Sequence, residues 1–181
     1  MRPSSSSERA LRLALASAEA AGCRVALLTG PHLQYPMYDP SVPVRTAETT
    51  KLIELLRQCH GLIIASPGYH GSMSGMMKNA LDYIEDMRDD AAPYLDGRAV
   101  GCIACAAGSQ AIGTTITAMR SVVHALRGWP TPISVGLNTA VPLWDEGGQP
   151  VDPRVLTQLN LLACQVVEFA QMRQSFHSQK D

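Results

Sequence analysis

The sequence predicts a single doubly wound α/β domain, a parallel sheet with helices on both faces, and three observations carry that expectation. Helical and strand-like stretches alternate along the chain, the pattern of a parallel sheet joined by crossover helices. The strand-like stretches are short continuous apolar runs, such as Leu62-Ile63-Ile64-Ala65, as expected of strands covered on both sides. The chain has 181 residues, 46% of them hydrophobic, with no linker, repeat or low-complexity segment beyond a serine run near its start. Residues 1–181 therefore read as one three-layer domain with room for a sizeable core.

Each element has its own signal. Ser6 to Ala21 reads as a helix with Leu11, Ala14, Leu15 and Ala18 on one stripe, stopped by Gly22. Arg24 to Leu28 reads as a short buried strand. Pro31, Pro36, Pro40 and Pro43 then make the next stretch a long loop. Thr46 to His60 is helical, with Leu52, Leu55, Leu56 and Cys59 turned inward. Leu62 to Ala65 is a strand bounded by Gly61 and Pro67. Ser74 caps a helix running to about Met87, with Met77, Ala80, Leu81 and Ile84 on its buried side. Val100 to Cys105 is the next strand, Gln110 to Arg127 a helix, and Pro132 to Leu137 the last strand. Asp152 as N-cap and Pro153 at the first helical position open a terminal helix reaching about Phe176.

This gives four strands and five helices, and the chain opens directly into a helix. In the flavodoxin-like strand order 2-1-3-4-5 the first strand is central, so its loss leaves two flanking strands without their shared partner. Their backbone groups would then lack hydrogen bonds. The first strand is expected to be missing from the sequence as given, with the natural start lying upstream of Met1.

Bulk properties exclude several function classes. A net charge of -1 gives no reason to expect a nucleic-acid or anionic-membrane partner. No apolar run approaches the roughly 18 residues of a membrane span. The start, Met1-Arg2-Pro3 followed by four serines, lacks the apolar block of a secretory signal, so a cytoplasmic protein is expected. Among the five cysteines, Cys102 and Cys105 form a C-x-x-C, but inside an apolar strand, where residues three apart face opposite sides. They read as buried apolar filler, and no metal site is expected.

Ligands of open parallel α/β sheets bind at the carboxyl ends of strands where the strand order reverses. Three loops converge there. Arg2 and the serines Ser4 to Ser7 stand at a helix N-terminus, where amides, hydroxyls, the helix dipole and one arginine suit a phosphate; serines are equally ordinary N-caps. Pro67-Gly68-Tyr69-His70-Gly71-Ser72 holds the backbone in a defined path open to a flat ligand. Tyr69 and His70 have the chemistry for proton transfer, although loop packing accounts for both. Ala106-Ala107-Gly108-Ser109 is small enough to pass close to a ring. No Walker A lysine, no G-x-G-x-x-G and no nucleophile–base constellation occurs.

The segment Ser66 to Tyr83, SPGYHGSMSGMMKNALDY, resembles the signature of the NADPH-dependent FMN reductase family. It has the Pro-x-Tyr-x-x-Ser loop at Pro67, Tyr69 and Ser72, followed by Lys78-Asn79-Ala80-Leu81-Asp82. The opening Arg2-Pro3-Ser4-Ser5 resembles the family's phosphate loop, with Ser7 where an asparagine is frequent. The loop at Ala107-Gly108 matches the family's flavin loop less closely, and Met1 stands where the family has a strand ending in Gly-Ser.

The resemblance implies an FMN-dependent NAD(P)H oxidoreductase. NADPH or NADH would deliver hydride to flavin N5, and electrons would pass in a second step to a small acceptor: flavin, quinone, azo compound or metal oxyanion. The flavin carries the chemistry, so no catalytic side chain is expected. The implied cofactor-binding residues are Arg2, Ser4, Ser5, Ser7, Pro67, Gly68, Tyr69, His70, Ser72, Ala107, Gly108 and Ser109. The family also implies a homodimer or homotetramer, for which Met73, Met76 and Met77 offer an adaptable contact and equally ordinary core packing. The alternatives are a flavodoxin-like electron carrier, against which the balanced charge weighs, and a non-catalytic remnant.

Overall fold

The computed structural model describes residues 5–178. Five helices are present: α1 (Ser6–Ala20), α2 (Ala47–Gln58), α3 (Gly75–Asp82), α4 (Ser109–Ala125) and α5 (Pro153–Ser178). The strands are β1 (Gly61–Tyr69), β2 (Ser72–Met73), β3 (Ala99–Ala106), β4 (Trp129–Pro130) and β5 (Val135–Asn138). Helix starts follow the capping residues. Ser5 Oγ accepts from the Glu8 amide, Thr46 Oγ1 from Thr49 and Ser74 Oγ from Met77, each satisfying a first-turn donor. Past Asp82 the chain tightens into a 3-10 turn, Tyr83–Met87.

β3 is the spine of the sheet. β1 pairs with it in parallel from Gly61↔Ala99 to Pro67↔Cys105. On its other side β4 and β5 pair in parallel with successive parts of it. Together β4 and β5 form one edge interrupted at Thr131–Ser134, where Arg120 donates to the Thr131 carbonyl at 2.6 Å and to the Ser134 hydroxyl. β2 is antiparallel to β1. The sheet divides the core in two. Val100, Cys102 and Ala104 face a cluster built on α2, α3 and α4, while Ile103 and Cys105 face α1 and α5. Close packing relies on glycines: a Cβ on Gly101 would lie 2.4 Å from Leu162 Cδ2, and one on Gly136 would lie 2.3 Å from Ile112 Cγ2. The architecture is the expected three-layer, doubly wound α/β sheet.

Three expectations need correction. Residues 24–28 form no strand: among the described residues they carry no ladder. The stretch after them is not entirely irregular, since Gly30–Leu33 makes a 3-10 turn. The loop expected after Ala65 is instead the continuation of β1, which turns through His70 and Gly71 into β2. Both turn residues have positive φ, 50° and 85°, the requirement of a type I′ hairpin, with histidine in the position asparagine commonly fills. β4 has no counterpart in the expected elements.

Candidate active site

The carboxyl ends of β1, β3 and β5 and the N-terminus of α1 border one large cleft of about 1790 Å³. Its upper part brings together Ser5, Ser7, Thr29, Pro67, Tyr69 and Ala107, with Gly68 and Thr139 between them. The lower part continues as a slot along β1.

At the α1 end, the Ser5 hydroxyl caps the helix as an acceptor and keeps its proton to donate. Ser7 stands beside the Cys105 thiol and opposes the upward shift that burial imposes on it. Ser6 is turned away, accepting from Trp144 Nε1 at 3.2 Å. The Glu8 amide is taken by Ser5 Oγ, while those of Ser6 and Ser7, both on the cleft lining, have no intrahelical acceptor, a setting that suits an anion. Glu8, also on the lining, is neutralised by Arg12 at 2.8 Å. Arg2 and Ser4 lie outside the described residues.

The hairpin wall is braced from behind. Buried Ser66 Oγ accepts from the Ser74 amide at 2.9 Å and donates to the Pro67 carbonyl, tying the base of the hairpin to the start of α3. Thr115 Oγ1 donates to the Ser72 carbonyl at 3.4 Å. Gly68 is needed where β1 crosses α4: a Cβ there would sit 2.5 Å from Thr115 Oγ1 and 2.9 Å from Ala106 Cβ. Tyr69 is 59% exposed, so its ring is free to cover a ligand. His70 and Ser72 do not line the cleft; His70 serves the turn and Ser72 pairs with Tyr69.

On the opposite wall Gly108, at φ 97°, is the N-cap of α4, and its amide donates to Asn138 Oδ1 at 3.0 Å. The same oxygen accepts from the Ala140 amide, and the Thr139 amide donates to the Ala106 carbonyl. Asn138 thus staples the β3 and β5 loops together. Ser109 lies just beyond, on a shallow surface with Gln110 and Thr114. A Cβ on Gly75, which lines the cleft, or on Gly108, which does not, would meet nothing within 4 Å, so the backbone is open at both positions.

Sequence reasoning missed Thr29, Asn138 and Thr139. Asn138 ends β5 and Thr139 follows it, so their position at a strand's carboxyl end was the available signal. It also missed the role of Asn79 within the Lys-Asn-Ala-Leu-Asp run. Asn79 is buried and clamps the 35–38 loop, accepting from the Tyr38 amide at 2.8 Å and donating to the Pro36 carbonyl at 2.9 Å. Arg45 completes that clamp with two bonds to Asp86, at 2.7 and 2.8 Å, and stacks on Tyr38 at 4.7 Å. Cys102 and Cys105 lie on opposite faces of β3, as the strand period requires. Burial pushes both thiols up to about 11. Among the described residues no cluster of His, Cys, Asp or Glu has the arrangement of a metal site.

A doubly wound sheet with a hydroxyl- and amide-lined crevice at its carboxyl end defines a nucleotide-binding α/β protein. The chain belongs to the NADPH-dependent FMN reductase family, whose pattern matches residues 1–141. Over 52 residues it is 35% identical to an NADPH azoreductase of Bacillus sp. (strain OY1-2), a stretch that spans 28% of this chain and 29% of that enzyme. In structure it resembles RosB, solved with bound 8-demethyl-8-formylriboflavin-5'-phosphate, at TM-score 0.77 and 16% identity over 97% of this chain and 76% of RosB. It also resembles FerB, a flavoenzyme NAD(P)H:(acceptor) oxidoreductase from Paracoccus denitrificans, at TM-score 0.66 and 18% identity over 96% of this chain and 93% of that one. At these identities the structural likeness is one of fold. No helix among the described residues is long and apolar enough to cross a membrane.

Proposed function

We propose that this chain is an FMN-dependent NAD(P)H reductase that passes electrons to a small acceptor such as a flavin, a quinone, an azo compound or a metal oxyanion. The observation that carries the reading is the upper cleft, where the N-terminus of α1, with Ser6 and Ser7 amides that have no intrahelical acceptor, lies beside the loops at Pro67–Tyr69 and Ala106–Ala107. A planar ring with a phosphate tail suits that shape. The amides of α1 and the hydroxyls of Ser5 and Ser7 would hold the phosphate, with Arg2 and Ser4 adding charge and donors. Pro67, Gly68 and Tyr69 would border one side of the ring and Ala107, Gly108 and Ser109 the other. His70 and Ser72 act one step back, by setting the hairpin that presents Tyr69.

FMN, when bound, supplies the hydride-accepting ring. The chain's task is to fix that ring, exclude water from one face and leave the other open. The exposed Tyr69 ring and the small Ala106–Ala107 wall fit this division. A homo-oligomer through the start of α3 remains part of the reading, with Met76 as the available contact, because Met73 is buried in the core.

Titration of the purified protein with FMN, followed by NADPH without oxygen, tests the proposal. The expected result is saturable flavin binding, bleaching of the yellow colour by NADPH, and its return when a quinone or azo dye is added. Binding without bleaching would make the protein an electron carrier. No binding at all would overturn the reading.

A further inference from the structure

The loop after β5 reaches both the β3 wall of the crevice and the start of α1. At its root Asn138 Oδ1 accepts from the Gly108 amide at 3.0 Å, and the Thr139 amide donates to the Ala106 carbonyl at 3.0 Å, which fastens the loop to the β3 wall. Residues 143–151 then close on themselves. The Asp145 and Val151 amides donate to the Gln149 and Leu143 carbonyls at 2.9 and 3.0 Å, and Asp145 Oδ1 accepts from the Gln149 amide at 2.8 Å. Gly148, at φ 79°, makes the turn without strain. A loop held at its root and bonded internally can carry a side chain at a fixed place.

That side chain is Trp144. Its ring packs against the core cluster between β3, α1 and α5, and its Nε1 donates to Ser6 Oγ at 3.2 Å. An indole nitrogen only donates, so the Ser6 oxygen is the acceptor and Ser6 is the anchor point. Ser6 is the first residue of α1. Helix ends fray, because their outer groups lack intrahelical partners, and an anion gains most from amides already held in place. Among Ser4 to Ser7, Ser6 alone stands outside the cofactor residues that the family resemblance implies.

We propose that Trp144 is a positioning residue for the phosphate end of the crevice. By holding Ser6 it fixes the first turn of α1, with the Ser6 and Ser7 amides, at a set distance from the β3 wall to which the same loop is fastened at Asn138. One loop thus sets the spacing that a ring and its phosphate tail must span. The assignment rests on the flavin reading above and deepens it, because preference for a phosphorylated flavin over the same flavin without its phosphate then depends on this bond.

The test compares FMN with riboflavin, which has the same ring and ribityl chain and no phosphate, by fluorescence titration of the 181-residue chain. Trp144→Phe keeps an aromatic ring against the core and removes the N–H. Ser6→Ala removes the same bond from the other side and leaves the indole packing alone. Each is expected to weaken FMN binding about 5-fold and to change riboflavin binding by less than about 2-fold, the loss of one hydrogen bond felt at the phosphate end. The double variant should also lose about 5-fold, since both changes remove a single interaction. Hydrogen exchange of the ligand-free protein gives a second readout. The Arg9 amide, bonded to the Ser5 carbonyl at 2.9 Å, should exchange about 5-fold faster in Trp144→Phe, while the amides of Ala14–Ala18 keep their rates. Equal weakening of both flavins, an unchanged FMN affinity, or losses that multiply in the double variant would each overturn the assignment and leave the flavin reading intact. So would exchange that rises equally along the whole of α1. A wild-type chain that binds neither flavin would instead sink both.

Discussion

β1 and β3 have nearly interchangeable sequences and very different surroundings. Both are continuous apolar runs bounded by glycine or small residues, yet all eight residues of β3 are buried, while in β1 only Ile64 and Ser66 are. The difference lies in their neighbours. β3 has strands on both edges and helices on both faces, whereas β1 has β3 on one edge and, on the other, only the two-residue β2 at Gly68–Tyr69 with the slot before it. An apolar run states that a strand wants to be covered; long-range pairing decides whether it is.

The largest effect expected from this contrast is on stability. Ile103, fully buried between α1 and α5, is close-packed on every side, so Ile103→Ala should cost about 4 kcal/mol. Ile63, a partly covered neighbour of the same cluster on β1, should cost no more than about 1.5 kcal/mol as Ile63→Ala, because part of its surroundings is already open. Urea unfolding of the 181-residue chain reads both. Equal costs would mean that the slot is closed in solution and that the two strands do not differ.

The thiols sharpen the comparison by chemistry. Cys102 and Cys105 on β3 are pushed from the ordinary 9.0 up to about 11, first by burial, with Arg120 opposing for one and Ser7 for the other. Folding therefore favours the protonated form. That contribution is fully present below about pH 9 and is lost as pH rises toward 11, because the unfolded chain sheds these protons first. Each thiol should lose about 1.3 kcal/mol between pH 8 and pH 10, or about 2 to 3 kcal/mol for the pair. Cys59, at the mouth of the slot, shifts the same way by burial, opposed by Arg98. Urea midpoints at the two pH values check the loss, and a Cys102→Ala, Cys105→Ala variant should remove most of it. In native protein exposed Cys164 should react with a thiol reagent at once and the β3 pair only on unfolding.

The helices were legible because their signals are local. Ser74, Thr46 and the Asp152-Pro153 pair mark starts to within a residue or two. The crevice was legible for the same reason, since its loops follow strands directly in sequence. What depends on distant partners was not legible. Pro67 and Gly68 read as strand breakers, yet pairing with β3 carries β1 through Pro67 and pairing with β2 carries it through Gly68 to Tyr69. Arg24–Leu28 has strand composition and no ladder, because composition does not supply a neighbour. Asn79 and Asn138 look like ordinary polar residues until the chain brings loops within hydrogen-bond reach of them.

The smallest expected effect concerns how the loop on this open flank is held without a strand to anchor it. Residues 35–45 are tethered by side chains: Asn79 holds the 35–38 backbone, and Arg45 grips Asp86, the Asp39 carbonyl and the Val42 carbonyl. The Arg45–Asp86 pair is only partly buried, its side chains 18% and 22% exposed, so Arg45→Ala should cost about 1 kcal/mol or less in global stability. Its local effect should be larger, since Met37 and Val44 already project into solvent and little else holds the loop tip. Protease cleavage between residues 37 and 44 should accelerate in Arg45→Ala. Arg45→Lys should restore only part of the protection, because an ammonium cannot make the forked contact to Asp86 while bonding two carbonyls. Unchanged cleavage in Arg45→Ala would assign the anchoring to Asn79 and to buried Tyr83, whose hydroxyl donates to the Pro36 carbonyl at 3.1 Å. The open flank would then rest on one buried amide and one phenol, where the β3 flank rests on two layers of packed helices.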